Sequence, residues 1–175
     1  LSVHRLKVRY AQSRLGLVWA LIQPVAMMLV FTLMFTFLRT APGGDVPFPL
    51  FAYSALLPWT MFASGLANSS ASLTSNASLL SKVYFPREIL PLTYIMVALI
   101  DMAIASFVLA GLMLWFAVPV TAAALWAVPA VVLLIGLLAG LGLFLSALQT
   151  HYRDVGLAMP ILVQIWLFAT PVLYP

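Results

Sequence analysis

The residues able to do acid–base or metal chemistry are few and far apart. In 175 residues there are four acids, Asp45, Glu88, Asp101 and Asp154, two histidines, His4 and His151, and no cysteine. General acid–base catalysis and metal ligation both need such groups within bonding reach of one atom. No paired acids and no His/Cys cluster occur here. No Gly-x-x-x-x-Gly-Lys-Ser/Thr loop is present either, so the chain cannot itself bind and hydrolyse ATP in the usual way. Gly140-Leu-Gly-Leu-Phe144 is no dinucleotide loop, because no strand precedes it. His151-Tyr152-Arg153-Asp154 reads as a polar turn with a local ion pair. No catalytic residue and no metal ligand is nominated, and no disulfide or thiolate site is available.

The charges instead report what must hold them. Only 12 residues are Asp, Glu, Lys or Arg, and 65% are hydrophobic. Stretches 15–38, 46–81, 102–150 and 155–175 carry no charge at all. About 20 apolar residues in a helix cross a ~30 Å hydrocarbon core. A water-soluble fold would need far more surface charge. Backbone groups in lipid must be bonded internally, which leaves a helix bundle or a closed barrel. The runs are longer than barrel strands and apolar all round, so the expectation is an all-α polytopic membrane bundle.

The expected layout is a single transmembrane domain over 1–175. It has an interfacial segment at 1–14 and spans near 15–38, 48–67 extending to 80, 92–116, 125–148 and 157–173. A kink is expected at Pro24. Pro58 either kinks the second span or starts its main segment, and Pro160 and Pro171 are expected to break the fifth. The missing initiator Met and the end at Pro175 read as a fragment truncated at both ends. Seven of the eight Lys and Arg residues lie before span one, in 81–91 or in 149–156, and only Arg39 lies on the other side. The positive-inside rule then puts the N-terminus in the cytoplasm. Arg5, Lys7, Arg9 and Arg14 become membrane-surface cations. Trp115 and Trp126 fall near the outer interface.

Four features invite function, each beside a plainer reading, and a fifth reads as packing alone. The elbow 81–91 carries Tyr84, Phe85, Arg87 and Glu88 between Pro86 and Pro91, either as a docking surface or as an ordinary turn. Asp101 sits ~15 Å from either end of its span. A charge there costs about 2.5–3.5 kcal/mol on insertion scales. It either serves a conduit or gate, or hydrogen-bonds a Ser, Thr or Asn of span two. The stripe Asn68, Ser69, Ser70, Ser72, Thr74, Ser75, Asn76, Ser78 either lines a passage for a hydroxylated substrate or lets helices approach closely. Gly136 and Gly140, extended by Gly142, form a small-residue packing face. Tyr53, Trp59, Phe62, Trp166, Phe168 and Tyr174 either stack on sugar rings in a conduit or form an interfacial belt.

Three stretches carry a family resemblance: RYAQSRLGLVWALIQPVAMMLVFTLMF, LLSKVYFPREILPLTYI and HYRDVGLAMPILVQIWLFATPVLYP, with ALLPWTMF at 55–62. They resemble permease subunits of type-2 ABC exporters of bacterial surface polysaccharides such as O-antigen, capsule and teichoic acid. The resemblance implies that Lys82, Val83, Tyr84, Phe85, Pro86, Arg87 and Glu88 contact a separate ATPase subunit. ATP and magnesium belong to that partner, and this chain binds no cofactor. It further implies a homodimer enclosing a conduit for a lipid-linked glycan, in the bacterial cytoplasmic membrane, with no nucleic-acid partner. Family members add a sixth span and re-entrant outer-gate helices. The alternatives are a same-fold permease for a drug or small hydrophobe, and a membrane-embedded glycosyltransferase.

Overall fold

The computed structural model describes residues 16–38, 46–77, 80 and 86–170. Helices run over Gly16–Leu38 (α1), Phe48–Ser70 (α2), Ser72–Ser75 (α3), Ile89–Trp115 (α4), Ala127–His151 (α5) and Asp154–Ala169 (α6). A 3-10 turn, Ala122–Trp126, leads into α5. No strand occurs among the described residues. The helices α2, α4 and α5 are long and apolar enough to cross a bilayer, and α6 is a shorter apolar helix.

The central helix is α2, which packs against α1, α4, α5 and α6. Its inward positions feed two apolar layers. One joins Met28, Tyr53, Leu56, Leu57, Ala105 and Leu167. The other joins Met61, Phe62, Leu66, Ile95, Ala98, Leu138 and Met159. Away from these layers, Phe107, Leu114, Trp115, Trp126 and Leu133 are at least 75% exposed. Apolar faces of that extent suit lipid, which satisfies them without burial in protein.

Prolines end fewer helices than the sequence suggests. The second span starts at Phe48 and runs unbroken through Pro58 to Ser70. Pro160 lies inside α6, which continues to Ala169, so it does not break that helix. A helical proline forfeits one hydrogen bond, here to the carbonyl of Gly156, and the remaining ladder carries the helix on. Pro24 likewise sits within the continuous α1. Pro171 lies outside the described residues.

The hydroxyl-rich stretch does interrupt its helix. Ser69 and Ser70 donate to the carbonyls of Leu66 and Ala67, and Thr74 donates to that of Ala71. Asn76 donates to that of Ser72. Side chains that bond backbone locally compete with the helical ladder. Accordingly α2 stops at Ser70, Ala71 caps it, and α3 is a single turn.

The end of α4 is closed by a reversed turn. The Val118 N–H donates to Met113 O (3.0 Å) and the Ala117 N–H to Leu114 O (3.3 Å). This is the Schellman pattern, and Ala117 holds its left-handed position at φ 52°. Alanine is strained there by its Cβ, and glycine is not. Ala117→Gly is expected to stabilise the chain by about 1 kcal/mol, read as a raised midpoint in detergent thermal unfolding.

Close helix approach depends on particular glycines. A Cβ on Gly65 would stand 3.3 Å from Leu138 Cδ1, and one on Gly142 would stand 2.5 Å from Ser69 Oγ. The expected packing face at Gly136 and Gly140 needs correcting. Among the described residues a Cβ at either meets nothing within 4 Å, because that side of α5 points away from the other described helices. Of that set, Gly142 alone makes a close contact within the chain.

Candidate coupling end and aromatic wall

Chain alternation brings the end of α2, the start of α4 and the α5–α6 turn to one end of the bundle. They enclose a cavity of about 1090 Å³. Arg87, Glu88 and Pro91 of the elbow line it together with Thr74, Gln149, His151 and Arg153. The elbow therefore shares a wall with the α5–α6 turn, which the sequence alone marked only as a polar loop. The other elbow candidates, Lys82, Val83, Tyr84 and Phe85, lie outside the described residues, as do Arg5, Lys7, Arg9, Arg14 and Tyr174.

Local bonding explains how these residues are set out. Pro86, Arg87 and Glu88 are exposed just before α4. The carbonyls of Pro86 and Arg87 accept the N–H groups of Ile89 and Leu90, so the elbow turns straight into the helix. Arg153 and Asp154 open α6, and the acid stands in the first turn, where the helix dipole favours negative charge. Across the cavity, Gln149 Nε2 donates to Thr74 Oγ1 at 3.4 Å. Beside it, Asn76 Nδ2 donates to Tyr94 Oη at 3.4 Å.

The polar stripe divides between two roles. Ser69, Ser70 and Ser72 are at most 1% exposed, so they serve packing of α2 and α3 and cannot line a passage. Asn68, Thr74 and Ser75 are exposed. Ser78 lies outside the described residues.

Further along the bundle the aromatics separate in the same way. Tyr53 is 0% exposed, and its hydroxyl donates to Ala105 O at 3.0 Å. That burial removes Tyr53 from the conduit candidates; it pins α2 to α4. Trp59, Phe62 and Trp166 do come together. Phe62 meets Trp166 edge-on, with centroids 5.1 Å apart at 79°, and Trp59 at 5.6 Å. With Ala55, Pro58, Leu134, Leu137 and Thr170 they line an apolar hollow of about 250 Å³. Phe168 is exposed on α6 outside this group.

Asp101 lies mid-length on α4, half-buried, on a small cavity that also touches Gln23, Thr60 and Ser64. Among the described residues no His, Cys, Asp or Glu cluster could hold a metal ion.

Long apolar helices, polar groups gathered at one end and a membrane-depth carboxylate define a multi-pass α-helical membrane protein. The ABC-2 type transporter family profile matches residues 1–175, and the chain belongs to that family. It is similar to the O-antigen export system permease protein RfbA of Myxococcus xanthus, 34% identical over 97% of this chain and 65% of the relative. An RfbA of Klebsiella pneumoniae is 27% identical over the same shares. The polysialic acid transport protein KpsM of Escherichia coli is 28% identical over 100% of this chain and 68% of the relative. The chain thus spans 65% of the length of the first of these relatives.

Proposed function

We propose that this chain is the permease part of an ATP-driven exporter that moves lipid-linked cell-surface polysaccharide across the bacterial cytoplasmic membrane. The observation that carries the reading is the family match along the whole chain, joined to relatives named for O-antigen and polysialic acid. With no phosphate loop in the sequence, ATP and magnesium are handled by a separate ABC ATPase subunit. That subunit docks on the elbow 82–88, of which Arg87 and Glu88 line the cavity at the α5–α6 turn. Two permease chains pair around the conduit as a single transmembrane domain each. Trp59, Trp166, Phe168 and Tyr174 offer aromatic faces to the glycan, and the buried Phe62 supports Trp166 edge-on. Arg5, Lys7, Arg9 and Arg14 lie on the anionic inner leaflet at about 1 kcal/mol per cation. The N-terminus is cytoplasmic.

These 175 residues contain no cysteine, which simplifies a crosslinking test. Arg87→Cys is expected to crosslink to the ATPase in membranes, with a yield that changes on nucleotide binding. Labelling of that cysteine solely from the outer face would overturn the topology. Absence of any crosslink in every nucleotide state would overturn the docking site. Glycan precursor, and not small hydrophobes, is expected to stimulate ATP hydrolysis in the assembled complex.

A further inference from the structure

Gln149 stands near the C-terminus of α5 and is only 8% exposed, although glutamine is ordinarily a surface residue. Its amide meets two other elements. Nε2 donates to Thr74 Oγ1 of α3 at 3.4 Å, and the Thr74 hydroxyl in turn donates to Ala71 O at 3.0 Å. The amide also lies against Gly156, at the start of α6. A Cβ built there would stand 2.6 Å from Gln149 Nε2 and 3.2 Å from its Cδ. The bare backbone at Gly156 is therefore the seat of the amide. Glycine is a poor helix former, and this seat is a packing reason for its place inside α6.

Stability alone does not favour glutamine here. Gln149 Oε1 is buried with no hydrogen-bond partner among the described residues. Ser72 Oγ, on the α3 turn that packs against α5, is likewise buried and unbonded. An acceptor in that state has lost its hydration and gained nothing in return, and an apolar side chain of equal length would avoid the loss. An amide kept at such a position needs a reason other than stability. Its location supplies one. Gln149 lines the cavity at the end of the bundle together with Arg87 and Glu88 of the elbow. From there it touches both the turn that follows α2 and the start of α6. From Gly156 the helix rises ~15 Å to Trp166 of the aromatic wall. A hydrogen bond is directional and apolar contact is not, so the amide fixes how these segments sit on one another.

We propose that Gln149 is a positioning residue for transport: its amide, bonded to Thr74 and seated on Gly156, ties the turn after α2 to the start of α6, so that movement imposed at the elbow reaches the helix bearing Trp166. The proposal rests on the exporter reading above, and its test separates the two. A bimane fluorophore on Leu157→Cys, a position 77% exposed at the start of α6, reports the setting of that helix in the assembled exporter. Its emission is expected to shift when nucleotide is trapped. Gln149→Met keeps the side-chain length and removes the amide. It is expected to leave the unfolding midpoint equal or higher, to abolish the emission shift and to cut export at least fivefold, while the ATPase still co-purifies and hydrolyses ATP. Gly156→Ala puts a methyl where the amide sits, and it is expected to lose the shift and the export in the same way. A wild-type complex with no shift overturns the proposal, as does either variant that keeps the shift or the export. Should one variant fail to fold, the other decides. A midpoint lowered by several degrees in both assigns the amide to packing and also overturns the proposal. A normal shift that Gln149→Met abolishes, in a complex that exports no glycan, supports the linkage and counts against the exporter reading instead.

Discussion

Gly142→Leu is expected to destabilise the bundle by more than 3 kcal/mol, beyond the usual ~1–3 kcal/mol range for overpacking. At this position α5 crosses α2 so closely that even an alanine Cβ would stand 2.5 Å from Ser69 Oγ and 3.0 Å from Ser69 Cβ. The hydroxyl could rotate away, giving up its bond to Leu66 O. The Ser69 Cβ could not, since the backbone fixes it, and so the helices themselves must part. Leucine adds three further carbons along that direction, with Ile95 Cδ1 already 3.5 Å away. Thermal unfolding with size-exclusion monodispersity in detergent reads the effect. Gly140→Leu serves as the control: among the described residues the Cβ there meets nothing within 4 Å, so it is expected to leave the midpoint unchanged. Ser69→Gly should rescue Gly142→Ala, because it removes both clashing atoms. Equal loss from Gly140→Leu and Gly142→Leu would show that the α2–α5 crossing is not what constrains the glycine.

Those two glycines mark the limit of what the sequence reveals. The architecture is legible because uncharged runs leave a membrane helix as the only affordable state for the backbone. Which side of such a helix faces protein is not legible, because lipid and a protein core select the same apolar side chains. Gly136 and Gly140 fit the small-residue spacing and face outward, while Gly142 lies off that spacing and makes the contact. Tyr53 shows the same blindness. An aromatic on the outer half of a span suits a conduit by composition, yet its burial against Ala105 makes it a helix pin. The stop after Ser70 was present in the sequence as a run of hydroxyls and amides. Its physical meaning is competition with the backbone, which a reading of the stripe as one continuous surface leaves out. The elbow's neighbour at 149–153 is illegible in the sequence for a different reason. Nothing in Arg87 or in Arg153 alone signals that three chain segments end at one cavity; that follows only from how the helices pack.

Removing the aromatic pair on α2 and α6 is the second large effect expected. Phe62 is 4% exposed and makes an edge-on contact with Trp166 at 5.1 Å. Phe→Ala in a core typically costs 3–5 kcal/mol. Part of that is transfer from water, and a membrane helix has little of it to lose, because lipid receives apolar groups as readily as protein does. The cavity and lost contacts remain, so Phe62→Ala is expected to cost about 3 kcal/mol. Trp166 is 38% exposed, and its truncation should cost less. A double-mutant cycle isolates the ring–ring term, expected at 0.5–1.5 kcal/mol. Stability alone would not separate packing from a role in transport, so Trp166→Leu is the informative variant. Leucine keeps an apolar side chain against Phe62 and removes the flat face that a sugar ring would stack on. Export of glycan is expected to fall at least tenfold with the unfolding midpoint little changed, and Trp166→Phe is expected to recover most of it. Unchanged export in Trp166→Leu would assign the hollow between α2, α5 and α6 to helix packing, leaving the glycan to pass along another surface.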